Sequence, residues 1–206
     1  MNQSSSFNTT KISINSKDTS PSTDLDNSII SIDTINKIIS NIASNLEDLI
    51  IENFQSNRQI YVKSDIFFHY YIPNISIENY IKRIMKYSQM NISSLIIAII
   101  YIDKMCEIQK YILCFNNIHR LILSACLLSV KYNEDITVNN IIFSKIGDES
   151  IEIVNQLEQE LFFLLNFSLF VDFNYYEKYY EYFTKCNKSI TQEHNNNTNN
   201  NLLYEC

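Results

Sequence analysis

Catalytic chemistry needs nucleophiles, acids, bases or metal ligands held close together, and this sequence keeps its candidates apart. Its five cysteines (Cys106, Cys114, Cys126, Cys186 and Cys206) contain no CxxC pair. The paired thiolates of a zinc ribbon or a redox motif are therefore missing. Cys126 lies in the apolar run 121–130 and reads as a small buried hydrophobe in a reducing compartment. Three scattered histidines (His69, His119 and His194) have no metal-ligand spacing. His119, beside Arg120, fits capping or packing, and His194 lies in an asparagine tract and reads as solvated. The carboxylate pairs Glu134-Asp135 and Asp148-Glu149 fall at helix ends, where solvated caps are the expected role. There is no HExxH and no GxSxG, and the one glycine of the chain excludes phosphate-cradling loops and dinucleotide folds. No catalytic residue, metal ligand or cofactor is assigned, and an enzyme is not expected.

Polar or small residues inside strongly apolar helices carry more information. Arg83 sits among Ile81, Ile84 and Tyr87, Ala98 interrupts a run of isoleucines, and Asp103 closes that run. Lys131 ends the most hydrophobic segment, and Glu158 stands one turn before Phe162. A buried charge without a partner costs several kcal/mol, on the order of 3–5. An Arg83–Asp103 ion pair between consecutive helices is therefore expected, with Glu158 as a partner or neighbour of Lys131. Lys82-Arg83 with Lys86-Tyr87 is the one basic-aromatic cluster, and it reads as an ordinary polar face.

The elements that position these residues read as all helical. Few glycines, two prolines and 46% hydrophobic residues disfavour a turn-dense β-fold. Residues 1–28 and 185–206 are polar or asparagine-rich and read as disordered tails. Over 29–72 an amphipathic helix of about 30–53 places Ile32, Ile35, Ile39, Ile42, Leu46 and Leu49 on one narrow stripe, followed by a connector. The main domain, 73–184, holds a first helix that follows Pro73 and four more over about 92–109, 117–132, 138–146 and 150–166. The first has Asn74 or Ser76 as N-cap and Ile77, Tyr80, Ile81, Ile84, Tyr87 and Ser88 on its inner side. The third is apolar nearly all round, which marks a central helix. The fourth ends at Gly147, expected as a left-handed cap. The fifth carries Val154, Leu157, Leu161, Leu164 and Leu165. A last short helix carries Phe173, Tyr176 and Tyr180 on one side.

The whole chain, 206 residues with net charge −7, suits one domain with tails and lacks the basic surface that general nucleic-acid binding needs. The longest apolar run, 95–102, is too short to span a bilayer. No signal peptide is visible, so the expected location is nuclear or cytoplasmic. Ser20-Pro21 is a minimal site for a proline-directed kinase.

The set Arg83, Ala98, Asp103, Lys131 and Glu158 is similar to the five-residue signature of the cyclin box, in which five helices pack around the third. PxISIxxYIxRIxKY at 73–87, IYIDKM at 100–105, NxHRLILSACLLSVKYNED at 117–135, NN at 139–140, KIG at 145–147 and NQLEQELFFLLNFSLFV at 155–171 resemble the PHO80-like group of single-box cyclins (P-type or U-type). The resemblance covers about 65–183. Departures from the group are Gly147-Asp148 for Gly-Gly and Glu134-Asp135 for Asp-Asp.

That resemblance implies a regulatory subunit that binds and activates a cyclin-dependent serine/threonine kinase, in cell-cycle or phosphate-linked control. It implies a heterodimer in which the kinase C-helix docks against the third and fifth box helices. Lys131 and Glu158 would hydrogen-bond that helix, while Arg83, Ala98 and Asp103 would stabilise the box. The hydrophobic docking patch of mitotic cyclins uses a tryptophan, and this chain has none. Two alternatives remain: a TFIIB-like transcription-factor core, disfavoured by the single box and acidic charge, and a kinase adaptor that does not activate.

Overall fold

In the computed structural model the described residues are 31–56, 65–135 and 138–185. They form seven helices and no strand: α1 Ile32–Gln55, α2 Ile77–Ser88, α3 Ile92–Gln109, α4 Ile118–Asn133, α5 Asn140–Gly147, α6 Ile151–Leu164 and α7 Phe173–Lys185. The tails read as disordered, with His194, Ser20-Pro21, Cys186 and Cys206, lie outside the described residues, except for Lys185, which is the last residue of α7.

Polar caps set the starts. Ser31, Ser76, Asn139 and Ser150 each accept a hydrogen bond from the backbone N–H three residues on, at 3.1–3.3 Å, which satisfies one of the orphan donors of a helix N-terminus. Of the two candidates for the α2 cap, Ser76 holds the position. The ends are less orthodox. Gln89, Lys110 and Asp148 close α2, α3 and α5 in the left-handed region, with φ of 58°, 52° and 55°. A chain so poor in glycine must use side chains that bear a Cβ there.

Gly147 serves another purpose than the cap expected of it. It is the last residue of α5, and a Cβ built on it would lie 2.4 Å from Leu123 Cδ2 on α4. Its missing side chain lets α5 approach α4; the left-handed residue is Asp148.

α4 is the centre, as its all-round apolarity predicts. It packs against α2, α3, α5 and α6. Ser124, Ala125, Cys126 and Ser129 on it are buried, and the Ser129 hydroxyl donates to the Ser94 carbonyl of α3 at 2.7 Å. Small side chains thus allow close helix contact and pair their own polar atoms. Burial pushes the Cys126 thiol up in pKa, which suits its role as a packing residue. α3, whose β-branched run also fits a strand, is helical and buried on most sides.

α1 docks on the domain, against α2 and α7. Because it meets two neighbours, its buried surface is broader than one stripe. Ile38, Ala43 and Ile50 are buried with Ile39, Ile42, Leu46 and Leu49, whereas Ile32 is 77% exposed. α7 inserts a different face from the one expected: Tyr179 and Phe183 are buried and Phe173 is exposed. Asn41 donates to the Phe183 carbonyl at 2.7 Å, and the Tyr182 hydroxyl donates to Asn45 Oδ1 at 2.7 Å. Leu164 of α6 is only partly buried, while Leu165 just beyond completes the core stripe. Among the described residues no helix is long and apolar enough to cross a membrane.

Candidate functional site

The α4–α6 contact carries the first candidate surface. Val154, Leu157 and Leu161 seal α6 to the core, and Glu158 therefore stands at the edge of the sealed stripe. Lys131, in the last turn of α4, reaches it with Nζ 2.6 Å from Glu158 Oε1. Asn140, first residue of α5, donates to Glu158 Oε2 and to Asn155 Oδ1, each at 2.7 Å. Three helices thus converge on one carboxylate. Glu134 is engaged elsewhere, accepting from the Asn91 N–H at 2.8 Å, so Lys131 pairs with Glu158 as expected. The pair is not saturated. An ammonium has three N–H donors and a carboxylate about four lone-pair sites, which leaves capacity for a second molecule.

Beyond Glu158 the helix ends in an aromatic group absent from the sequence expectations. Phe163 and Phe167 are 60% and 62% exposed. The Phe167 ring stands edge-on to Phe162 at 5.0 Å and to Phe163 at 5.9 Å. Asn166 and Phe167 both have positive φ, 52° and 60°, and the Phe167 N–H bonds back to the Phe162 carbonyl at 3.0 Å. A left-handed aromatic costs roughly 1–2 kcal/mol. Here that strain holds an apolar ring in water, an arrangement typical of functional positions. The sequence carried a signal: LFFLLNFSLF holds more apolar side chains than one helix face can bury.

The expected Arg83–Asp103 ion pair does not form. Asp103 is buried near the end of α3 and accepts a hydrogen bond from the Tyr179 hydroxyl of α7. Burial, and then the Glu107 charge, push its carboxyl up to about 7, against the opposing hydrogen bond. Arg83 faces the other way, and its Nη2 donates to the Lys145 carbonyl of α5 at 3.2 Å. Tyr87, expected inside, is 59% exposed beside it. Ala98 is fully buried on α3.

A different ion pair holds the domain, through Glu149, whose place at a helix end predicts only a solvated cap. Arg120 on α4 grips Glu149 bidentately, Nε to Oε1 at 2.7 Å and Nη2 to Oε2 at 3.0 Å. Its Nη1 donates to the Ile66 and Phe68 carbonyls at 2.8 and 3.3 Å, and His69 Nε2 lies 3.1 Å from Glu149 Oε1. This cluster ties the segment before α2 to α4. His119 packs as expected, with Nε2 3.0 Å from the Ile75 carbonyl and its pKa lowered by burial.

Comparison with known proteins gives the family. The profile of the family described as Cyclin matches residues 2–169, most of the chain. The chain belongs to the cyclin family. It is 32% identical over 149 residues to Cyclin-U2-1 of Arabidopsis thaliana, covering 71% of this chain and 67% of that protein. It is 40% identical over 100 residues to Cyclin-U3-1 of the same plant, covering 48% and 45%. To Cyclin-P3-1 of Oryza sativa subsp. japonica it is 30% identical over 128 residues, covering 62% and 54%. The matches span between about half and two thirds of these relatives' lengths. In this cyclin α2–α6 form the five-helix box around α4, with α1 and α7 packed on it. Membership in the family, with these U-type and P-type relatives, supports a regulatory role.

Proposed function

We propose that this cyclin binds a cyclin-dependent serine/threonine kinase through the α4–α6 surface, as a heterodimer, and activates it. The observation that carries the reading is the unsaturated Lys131–Glu158 pair, joined by Asn140 and flanked along α6 by the exposed Phe163 and Phe167. A helix laid on this surface would meet a polar centre and an aromatic anchor, the composition of a protein-interface hot spot. Lys131 and Glu158 would hydrogen-bond backbone groups of the kinase C-helix. Its inward position completes the kinase Lys–Glu pair needed for phosphoryl transfer. Division or phosphate-linked control is the expected output, in the nucleus or cytoplasm.

The test is a binding titration and a kinase assay with the full chain and a purified cyclin-dependent kinase. Complex formation with raised kinase activity is expected. Binding without activation would make the chain an adaptor, and no binding to any such kinase would overturn the proposal. Phe167→Ala should weaken the complex by about tenfold or more. Alanine keeps the Cβ and therefore the left-handed cost, and it removes only a largely exposed ring, so melting should stay close to that of the parent.

A further inference from the structure

A groove of about 670 Å³ opens between α2 and α5, lined by none of the residues of the α4–α6 surface. Lys82, Arg83 and Lys86 come from one face of α2 and Lys145 from α5, around a floor that includes Ile142 and Ile146. No carboxylate lines it. Four of the chain's 16 cationic side chains thus gather in one place on a molecule of net charge −7. Such mutual repulsion is what an incoming anion relieves.

The cations are placed rather than merely solvated. The Arg83 guanidinium is pinned across the groove by its bond to the Lys145 carbonyl, and the Lys86 ammonium lies over the Tyr87 ring at 5.3 Å. Only Lys82 has a carboxylate partner, Glu78 one turn back at 2.6 Å; Arg83, Lys86 and Lys145 have none among the described residues. The sequence reading of an ordinary polar face could not include Lys145, which lies 59 positions from Lys86 and meets it only through the α2–α5 contact.

The chemistry that fits is a compact dianion next to an apolar group. A phosphoryl ester carries about −1.5 to −2 charge at neutral pH and three strong acceptors, which a fixed guanidinium and nearby ammonium groups suit. A long polyanion does not fit, because the acidic remainder of the surface repels it. The isoleucine floor suits an apolar side chain beside the phosphate. We propose that the α2–α5 groove docks phosphoserine- or phosphothreonine-containing segments of protein substrates. Assigning those segments to substrates rests on the kinase-binding reading; the peptide chemistry does not. Holding a substrate that already bears one phosphate raises its effective concentration at the bound kinase.

The full chain alone, without kinase, is offered two degenerate pools of short peptides, one with a central phosphoserine or phosphothreonine and its unphosphorylated twin. Retention of the phosphorylated pool at least about tenfold above its twin is expected at physiological salt. The most enriched sequence should lose about tenfold or more in affinity to Lys86→Glu/Lys145→Glu, whose melting curve stays that of the parent. Equal retention of both pools, or retention untouched by the double substitution, overturns the proposal. So does competition by free phosphoserine as effective as by the peptide, which would mark a small-phosphate site. In the assembled kinase complex, a primed substrate should be phosphorylated faster than an unprimed one, and the double substitution should abolish that advantage alone. Peptide binding by a chain that binds no kinase would refute the kinase reading and leave the groove assignment standing.

Discussion

α4 carries an ion pair near each end, and the two differ in every respect that separates holding a fold from meeting a partner. At its start, Arg120 and Glu149 are 15% and 11% exposed, and the guanidinium uses its Nε–Nη2 edge on both carboxylate oxygens and Nη1 on two carbonyls. At its end, Lys131 and Glu158 are 35% and 19% exposed and share one contact. The first pair has little hydrogen-bonding capacity left, while the second retains most of its own. Charge type and helix are the same, and saturation divides the roles.

Breaking the saturated end should have the largest effect. Arg120→Ala leaves a buried carboxylate with His69 in place of a bidentate guanidinium and takes the Nη1 donor from two carbonyls, at about 3–5 kcal/mol. For a chain of this size that is a fall in Tm on the order of 10 °C. Arg120→Lys should rescue little, because an ammonium cannot reproduce the fork. A calorimetric scan that finds either variant melting like the parent would erase the contrast between the two ends.

Asp103 extends the comparison to a buried carboxylate whose described partner is a hydroxyl. Asp103→Ala removes the carboxylate that the Tyr179 hydroxyl donates to, leaving that hydroxyl its longer contact with Tyr175, and should cost about 1–3 kcal/mol. The pH dependence has a definite sign. With the folded carboxyl raised to about 7 against an ordinary 3.8, the folded state holds its proton more tightly than the unfolded chain. Its contribution to stability is complete below about pH 4 and declines as pH rises toward about 7 and beyond. Urea unfolding across that window should show the decline in the parent and a shallower one in Asp103→Asn. Equal slopes would remove Asp103 as the source.

Gly147→Ala probes how closely α5 lies on α4. Relief of the glycine helix penalty, about 1 kcal/mol, opposes a clash with a buried Leu123, for which overpacking costs roughly 1–3 kcal/mol. A small net loss of stability is expected in a thermal melt, and it should shrink when Leu123→Ala opens space. A Gly147→Ala protein clearly more stable than the parent would show that Leu123 moves aside freely.

The elements were legible in the sequence because 3.6-residue periodicity and serine or asparagine caps are local signals. The partners were not, because direction around a helix axis is set by neighbours far along the chain. Arg83 and Asp103 lie on consecutive helices and invited pairing, yet Arg83 faces α5 and Asp103 faces α7. Glu149 is 29 residues from Arg120, with nothing local to distinguish it from its exposed neighbour Asp148. The buried face of α7 is not legible, because FNYYEKYYEYF is aromatic nearly all round and gives little contrast between sides. Lys131 and Glu158 are legible as neighbours because each is a charge that flanks the long apolar stripe of its helix.

The unsaturated end of α4 should show the smallest effect on stability and a large one on binding. A partly exposed, singly bonded pair contributes about 0–1 kcal/mol, so Lys131→Ala and Glu158→Ala should melt within a few degrees of the parent. Glu158→Ala should be the more disturbed of the two, because Asn140 loses an acceptor as well. If the pair serves a kinase, each truncation removes charge-assisted hydrogen bonds of roughly 1.5–3 kcal/mol, or about tenfold to a hundredfold in affinity. Melting and kinase titration on the same preparations separate the outcomes. Near-parental melting with weakened binding makes this end of α4 a docking site. Unchanged affinity in both variants would reduce it to a second, weaker brace and leave Phe167 as the test of the same surface.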